Sequence, residues 1–403
     1  MILIERRNLH GTSIFGLSDS LLLSTLRKKL LEMKSILLSI LGASLLFVGT
    51  ESVAQKKTTL RKAFKNHYLI GAAINAQQIN GRDSLAKPLI VNEFSSISPE
   101  NDLKWSEIHP QPNEYKFETA DNFVALGEKN KQFIIGHTLV WHSQVPGWVF
   151  VDDNKALVSK DVLYQRMKEH IDKVAGRYKG RIGGWDVVNE ALNDDGTMRN
   201  SFYYQIAGDE FILKAFEYAQ AADPKSELYY NDYNMFKPEK VEGAVRIVRM
   251  LKEKGLRIDA VGMQGHWHMD SPTIEEIEKS ILTLSKEGVK VVITELDISV
   301  LPNPQRNASS NITDVAQSSV DVNPYTNGLP DSVQVALANR YKAIFELFNK
   351  HKDKIGRVTF WGVQDGNSWK NDFPARGRTD YPLIFDRAHK PKKAYYSILE
   401  TVK

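Results

Sequence analysis

The feature that most constrains the fold of this chain is a recurring unit in which a short β-rich run is followed by a loop and an amphipathic helix. Several of the runs, such as FIIG, VKVVIT and RVTFWGV, are almost continuously apolar, which is typical of parallel strands buried on both faces. The pattern predicts eight strands, at residues 68–75, 94–101, 133–142, 183–190, 227–234, 260–267, 289–298 and 357–365. Helical periodicity lies between them, most clearly at residues 161–178, 238–254, 273–287 and 332–350.

Eight consecutive β-then-α units predict an α/β fold with a single (β/α)8 TIM barrel. A doubly wound open sheet is the alternative, but no Gly-rich phosphate-binding turn follows any early strand. The chain has 403 residues, and its hydrophobic share of 42% is enough to fill the core of one large domain. Its net charge of +4, without a clustered basic face, predicts no nucleic-acid partner. Because cysteine is absent, disulfides, thiolate metal sites and a cysteine nucleophile are excluded.

The N-terminal region has the features of an export signal. Residues 33–54 combine a basic start, a short apolar run and a small-x-small cleavage site after Ala54. The apolar run is shorter than the ~20 residues that a membrane-spanning helix needs, so we expect no membrane anchor after cleavage and a secreted or periplasmic protein. The alternative is a buried amphipathic helix. Residues 1–32 are an N-terminal extension upstream of Met33, which offers an alternative start of translation. Residues 55–403 are predicted to form the barrel domain.

One stretch interrupts the β-then-α rhythm. Residues 302–332 are rich in Pro, Asn and Ser and show no periodicity, which predicts a long loop insertion after the seventh strand. Two interpretations stay open, an inert surface insertion and a wall of the functional site.

Barrel enzymes carry their chemistry at the C-terminal ends of the strands, and here those ends are rich in polar and aromatic residues. The predicted ends hold Glu100 and Asn101, His137 to His142, Asn189 and Glu190, Tyr233 and Asn234, Gln264 and His266, Glu295 and Asp297, and Trp361. All seven tryptophans lie in predicted strands or the loops after them, which predicts that they gather at one rim. Flat apolar faces beside carboxylates and amides suit a sugar ligand.

Glu190 and Glu295 end the predicted fourth and seventh strands. An unpaired carboxylate is costly to bury, so each is either half of a structural ion pair or a functional group. Two of them across a barrel mouth match the carboxyl pair that glycoside hydrolysis requires. Asp297 shares a face with Glu295, and His266 ends the adjacent strand. We therefore expect an Asp297–His266–Glu295 relay that keeps Glu295 ionised.

Two other classes of function are alternatives to a glycoside hydrolase. His266 and His268 share a strand face and, with His137 and His142, could form the metal site of a metal-dependent barrel hydrolase. No His-x-His ends the first strand, and the nearby Trp and Gln residues favour a polyol, so we expect neither a metal nor a cofactor. A catalytically inactive carbohydrate-binding barrel would lack one carboxylate, whereas both are present.

Eight motifs together resemble one family. They are GAAIN (71–75), SPENDLKW (98–105), GHTLVWHSQVPGW (136–148), WDVVNE (185–190), YNDYN (230–234), GMQGHWH (262–268), VVITELDI (291–298) and TFWGVQDGNSW (359–369). In content and order this series resembles the family 10 glycoside hydrolases, the endo-β-1,4-xylanases, along most of the chain after residue 55. The departures are the insertion at 302–332 and the N-terminal extension.

The resemblance implies a role for each matching residue. It implies Glu190 as the acid/base and Glu295 as the nucleophile of a retaining mechanism, and it places His266 on the floor of the cleft. The relay expected above gives His266 and Asp297 the role of supporting the nucleophile. The resemblance places substrate-binding residues around the sugar and its non-reducing neighbour, on the floor and over the cleft: Glu100, Asn101, Lys104, His137, Trp141, Asn189, Tyr233, Gln264, Trp361 and Trp369. The implied partners are xylan and xylo-oligosaccharides, and we expect a monomer. A related retaining β-glycanase with cellulase or mixed activity is the alternative.

Overall fold

The computed structural model describes residues 27–28, 58–302, 323–374 and 376–403. The predicted signal segment, nearly all of the 1–32 extension and residues 303–322 of the predicted insertion lie outside these ranges. The barrel occupies the compact unit Thr59–Lys403. Within the described residues, no helix has both the length and the apolar character needed to cross a membrane.

The described strands are β1 (Leu69–Ile74), β2 (Ser96–Pro99), β3 (Phe133–Trp141), β4 (Gly184–Asn189), β5 (Glu227–Asp232), β6 (Ala260–Met263), β7 (His266–His268), β8 (Lys290–Ser299) and β9 (Ile355–Phe360). Strands β1 to β6 pair in chain order, β6 pairs with β8, β8 with β9, and β9 returns to β1. Every pairing is parallel, so eight strands close a barrel and β7 extends it at one edge. The closed ring confirms the predicted (β/α)8 barrel and excludes the open sheet.

The helices of the described barrel are Leu60–Ala63, Ala76–Ile79, Ala86–Glu93, Trp105–Ile108, Glu118–Lys129, Lys160–Arg177, Phe202–Ala207, Glu210–Ala222, Pro238–Glu253, Ile274–Ser285, Asp331–Lys350 and Lys393–Glu400. Local signals explain the starts of the best predicted ones. The Ser159 hydroxyl caps one helix, Thr273 forms a capping box with Glu276, and Pro238 stands in a first turn. The four predicted helices therefore start within one residue of the observed ones and end within two.

The predicted sixth strand is wrong in one respect, because the chain breaks it into β6 and β7. Gly265 has a φ of +86°, a conformation that glycine adopts without steric cost. Met263 and His266 are three positions apart in the chain, while their partners on β8, Ile293 and Asp297, are four positions apart. The extra β8 residue makes a bulge next to Glu295, and such bulges re-aim side chains.

The tryptophans do not all gather at the rim, and that prediction was wrong. Trp185 is fully buried against β3, where a side chain at Gly136 would begin 2.0 Å from its ring. Trp267 packs against Phe348 of the helix Asp331–Lys350, with ring centroids 6.4 Å apart. Trp105 stacks on His170 of the helix Lys160–Arg177 at 3.8 Å. These three rings serve the core and the interface between barrel and helices.

Candidate active site

A pocket of about 230 Å³ lies at the C-terminal ends of the strands. Its lining brings together most of the residues that the sequence singled out. They are Glu100, Asn101, Lys104, His137, Trp141, Asn189, Glu190, Gln264, His266, Glu295, Trp361 and Trp369, joined by Gln144. Carboxylates, amides and indole rings therefore share one concave site.

Glu295 lies within β8 and is only 5% exposed. Its Oε2 is 3.1 Å from His266 Nε2, and its Oε1 accepts a hydrogen bond of 2.8 Å from Asn231 Nδ2. Burial raises the pKa of Glu295, but the hydrogen bond and charge of His266 outweigh it and leave this pKa below its ordinary value. Glu295 is therefore held ionised.

His266 lies between two carboxylates. Its Nδ1 is 3.0 Å from Asp297 Oδ2, while its Nε2 faces Glu295. Burial lowers the pKa of His266, but Asp297 and then Glu295 overcome that effect and raise the pKa to about 9. Trp369 Nε1 donates a 2.7 Å hydrogen bond to Asp297 Oδ2. The bond from Trp369 holds the Asp297 carboxylate in place, and Asp297 in turn fixes the orientation of the His266 imidazolium.

Glu190 follows β4 directly and is 8% exposed. It has a φ of +58°, a left-handed conformation that is uncommon for a residue with a side chain. Its Oε1 accepts from Gln264 Nε2 at 2.9 Å and from Asn189 Nδ2 at 3.4 Å. Among the described residues, no group hydrogen-bonds to its other carboxylate oxygen, Oε2.

A chain of amides connects the two glutamates. Gln264 Nε2 reaches both Glu190 Oε1 and, at 3.4 Å, Asn189 Oδ1. Asn231 Nδ2 bridges Asn189 Oδ1, at 3.0 Å, and Glu295 Oε1. Thr294 holds the Asn231 amide with a 2.6 Å bond to its Oδ1. The network fixes the relative placement of the carboxylates through neutral donors.

The opposite wall carries the amine of Lys104. Its Nζ donates a 2.9 Å bond to Asn101 Oδ1 and lies 4.9 Å from the centre of the Trp141 ring. Burial lowers the pKa of Lys104, although the negative charges of Glu295, Glu100 and Glu190 oppose that shift. A buried amine beside an amide and an aromatic face is suited to hydroxyl recognition.

Trp361 and His137 form the remaining wall. The two rings meet edge to face with centroids 5.3 Å apart. His137 Nδ1 is 2.9 Å from Asp186 Oδ2, so the buried carboxylate of Asp186 orients the imidazole. Trp361 directly follows β9 and is 8% exposed, so it closes the pocket as a rigid flat surface.

Residues 59–401 match the model of Glycosyl hydrolase family 10. The chain belongs to this family. It is 42% identical over 356 residues to endo-1,4-beta-xylanase A of Xylanibacter ruminicola, an alignment covering 88% of this chain and 96% of the relative. It is 40% identical over 367 residues to a beta-1,4-xylanase of Dictyoglomus thermophilum, covering 91% and 97%. A solved family 10 endoxylanase from a sugarcane soil metagenome superposes with a TM-score of 0.81 and 45% identity, over 86% of this chain and 100% of that one.

One predicted substrate-binding residue of this family 10 hydrolase does not line the pocket. Tyr233 is buried behind it, where its hydroxyl accepts a 2.5 Å bond from Arg199 and its ring lies 3.5 Å from Lys240 Nζ. Strand β5 ends at Asp232, two residues before the predicted end. The β5 side chain that hydrogen-bonds to Glu295 is that of Asn231, and the sequence did not point to this residue.

Gln144 was also missed. It lines the pocket from the loop after β3, where its φ is +46°. The motif GHTLVWHSQVPGW includes it, but nothing in that pattern shows that the backbone turns at this position. Asp186 and Thr294 were missed as well, because each lies inside a strand and acts only through another side chain.

A larger pocket of about 810 Å³ lies beside Trp148 and the helix Lys160–Arg177 of the hydrolase. Its acidic residues, Asp152, Asp153 and Glu169, are all exposed, unlike the buried glutamates of the barrel mouth. In the described part of the chain, no group of three or more His, Asp or Glu side chains is arranged to hold a metal ion. The buried carboxylate pair therefore identifies the candidate active site.

Proposed function

We propose that this glycoside hydrolase is an endo-1,4-β-xylanase that cleaves internal bonds of xylan and xylo-oligosaccharides. The observation that carries the proposal is the pair of differently held carboxylates, Glu190 and Glu295, in a pocket lined by Trp and amide side chains. The family match and the two xylanases described above support the choice of xylan.

The different surroundings of the two carboxylates favour different roles. Glu295 accepts from a protonated histidine and an amide, one at each oxygen, which stabilises its ionised form as a nucleophile requires. The donors to Glu190 both reach Oε1, which leaves Oε2 to carry a proton into the pocket. Two carboxyl groups with such different hydrogen-bond partners are suited to the separate roles of acid and nucleophile.

The proposed reaction retains the anomeric configuration in two steps. Glu295 attacks the anomeric carbon while Glu190 gives its proton to the departing glycosidic oxygen, which forms a glycosyl ester on Glu295. Glu190, now ionised, takes a proton from a water molecule as that water attacks the same carbon and releases Glu295. Such a mechanism requires the two carboxyl groups to be about 5–5.5 Å apart.

A β-glycanase with cellulase or mixed activity is the second candidate, and one measurement separates the two. We expect reducing-sugar release from xylan to exceed that from soluble cellulose by a large factor, with EDTA present throughout. Equal rates on both polysaccharides would favour the β-glycanase, and no release from either would contradict the proposal.

The roles of the glutamates are tested by substitution. We expect Glu295→Gln to abolish turnover of every glycoside, because no covalent intermediate forms. In contrast, Glu190→Ala should slow natural xylo-oligosaccharides while sparing the glycosylation step of activated aryl glycosides, whose leaving group needs no proton. Pre-steady-state release of the aryl group measures that step for the aryl glycosides, and kcat/KM measures it for the xylo-oligosaccharides. If Glu190→Ala slows it equally for both substrates, the assignment of Glu190 as the acid is wrong.

We also propose that the protein is exported and that the signal segment 33–54 is removed, on the sequence features described above. N-terminal sequencing of protein collected from the medium or the periplasm should begin at Gln55. Recovery of a cytoplasmic protein that keeps residues 33–54 would contradict this.

A further inference from the structure

A buried ion pair lies beside the segment that follows Glu190, and the proposed mechanism does not use it. Asp232 is the last residue of β5, and Lys240 lies in the first turn of the helix Pro238–Glu253. Both are 0% exposed, and Lys240 Nζ is 2.9 Å from Asp232 Oδ1. Because the cost of removing two charges from water can exceed their attraction, such a pair is weak evidence for stability. Its position in the fold points to another role.

The carboxylate of Asp232 holds the backbone that comes after Glu190. Its Oδ2 accepts a 3.3 Å bond from the N–H of Leu192, two residues after Glu190, and a second bond from the hydroxyl of Tyr230. Its Oδ1 faces Lys240. Each carboxylate oxygen therefore has its own task, one on the segment after Glu190 and one on the buried amine.

The main chain of Asp232 supports Glu190 from a second direction. Its carbonyl accepts a 3.0 Å bond from the N–H of Gln264, and the Gln264 side chain donates to Glu190 Oε1 at 2.9 Å. Asp232 therefore contacts both the backbone after Glu190 and the amide that binds the Glu190 carboxyl group.

Lys240 also holds the far part of the same segment. Its Nζ is 3.4 Å from Asp194 Oδ1 and 3.5 Å from the centre of the Tyr233 ring. The hydroxyl of Tyr233 accepts a 2.5 Å bond from Arg199, whose Nε donates to the carbonyl of Glu190 at 3.0 Å. The charge of Lys240 thus lies between two groups that fix residues on either side of the loop.

The loop of residues 191–199 packs directly on the helix that carries Lys240. Gly196 has a φ of +76°, and a side chain there would begin 2.1 Å from the carbonyl oxygen of Glu239. Arg246 of the same helix donates a 2.5 Å bond to the Gly196 carbonyl. The helix is therefore the platform on which the segment after Glu190 rests.

We propose that Asp232, held by Lys240, is a positioning residue for Glu190. The buried pair fixes the backbone that carries the Glu190 carboxyl group, so that its proton points at the glycosidic oxygen. The proposal rests on the proposed function, in which Glu190 is the acid. A general acid must lie within hydrogen-bond reach of the atom it protonates, and a misplacement of about 1 Å costs about 100-fold in rate.

Two variants test the pair. In Asp232→Asn the amide has a single acceptor oxygen, and the charge of Lys240 attracts it. The NH2 group then faces the N–H of Leu192, donor against donor, so the bond to the segment is lost while the shape is kept. Lys240→Met is the second variant, because it leaves Asp232 buried without its counter-charge and changes a different element.

The assay compares kcat/KM for phenyl β-xylobioside and dinitrophenyl β-xylobioside. Both substrates carry the same sugar, but only the phenyl leaving group needs a proton. We expect each variant to lower the ratio of phenyl to dinitrophenyl kcat/KM by about 10–100-fold. A purely structural pair would leave this ratio unchanged. An equal loss on both substrates, or no loss, in either variant overturns the proposal.

A second buried Asp–Lys pair serves as the matched control. Asp365 is fully buried, its Oδ2 is 2.9 Å from Lys392 Nζ, and its Oδ1 accepts a 2.9 Å bond from the N–H of Leu383. Asp365→Asn and Lys392→Met should lower the midpoint of thermal unfolding and leave the substrate ratio constant. If they lower the ratio as much as the test variants, the effect is general destabilisation and the proposal is wrong.

Two further measurements separate this proposal from the proposed function. Glu190→Ala should lower the substrate ratio by about 100-fold or more. If it does not, Glu190 is not the acid and the proposed function fails. Amide hydrogen exchange of peptides covering residues 191–199, followed by mass spectrometry, tests the positioning without any reaction. Exchange should be faster in Asp232→Asn than in the wild type and unchanged in Asp365→Asn. Unchanged exchange in Asp232→Asn refutes the positioning role.

Discussion

Asp297→Asn is the sharpest test of how His266 is held, because it removes a charge and keeps the shape. Asp297 is fully buried. Its Oδ2 lies 3.0 Å from His266 Nδ1 and 2.7 Å from Trp369 Nε1, and its Oδ1 lies 3.8 Å from Lys370 Nζ. Burial opposes protonation of His266, yet its pKa rises from 6.5 to about 9, with Asp297 as the larger favourable cause. At about 1.4 kcal/mol per pKa unit, the rise corresponds to about 3 kcal/mol, which Asp297 and Glu295 supply together against the cost of burial.

The sign of the pH dependence follows from the direction of the shift. A histidine whose pKa is higher in the folded state stabilises that state fully below the unfolded pKa of about 6.5, and loses this contribution as the pH rises through about 9. The loss of unfolding free energy in Asp297→Asn should therefore be larger near pH 6 than near pH 10, by as much as about 3 kcal/mol. The unfolding free energy lost with the Trp369 hydrogen bond does not depend on pH, because the indole does not titrate. It therefore cancels when the losses near pH 6 and near pH 10 are subtracted.

The assay is urea unfolding followed by circular dichroism across this pH range, with His266 titrated in parallel by NMR. Asp380→Asn is the matched control, because Asp380 is a buried carboxylate bonded to Ser299 and to backbone N–H groups of Val300 and Tyr381, without a histidine partner among them. Its effect should not change between these two pH values. If Asp297→Asn costs the same free energy at both, Asp297 does not hold the proton on His266 and the electrostatic account of Glu295 is wrong.

Three further predictions concern the pocket itself. Trp361→Ala should raise the ratio of kcat/KM for an aryl cellobioside to kcat/KM for an aryl xylobioside by about 10–200-fold, because we expect the indole to fill the space that a hydroxymethyl group needs. Equal losses of kcat/KM on both substrates would make Trp361 a packing residue only. Asn231→Ala should lower kcat about 10–100-fold with little change in KM, since one hydrogen bond to an ionised group is worth about 1.5–3 kcal/mol; an unchanged kcat would remove Asn231 from the positioning network. Activity should survive exhaustive chelation, because both ring nitrogens of His266 face carboxylates; loss in EDTA that zinc restores would revive the metal site with His268.

The sequence predicted the barrel because buried parallel strands leave continuous apolar runs and because short capping signals mark the helices between them. Most of the pocket was predictable for a related reason: a polar residue at the end of an apolar run points to the barrel mouth. Tyr233 shows where this reasoning fails. The YNDYN motif continues the strand pattern past the residue at which pairing stops. The pattern therefore predicts the end of β5 two residues too late and does not point to Asn231.

The tryptophans show a second limit. A ring in a strand can face the pocket, the barrel interior or the helices, and composition does not distinguish these cases. Trp185 was free to fill the interior only because Gly136 on the paired strand has no side chain, which is a contact between residues far apart in sequence. Sequence patterns identify the elements, whereas such packing is decided by pairs of elements.

The orientation of Glu190 in the pocket depends on a departure from regular strand geometry. Asn189 and Glu190 are neighbours in the chain, and both line the pocket, although neighbouring side chains of a regular strand point to opposite faces. The left-handed backbone of Glu190 resolves this conflict at a cost of about 1–3 kcal/mol. Its N–H donates to Asn231 O at 2.8 Å, and its carbonyl accepts from Arg199 Nε at 3.0 Å, so β5 and the loop beyond Glu190 hold the turn. Asn231 thus positions both glutamates, one through its carbonyl and one through its amide, which makes it the residue that couples the geometry of the two.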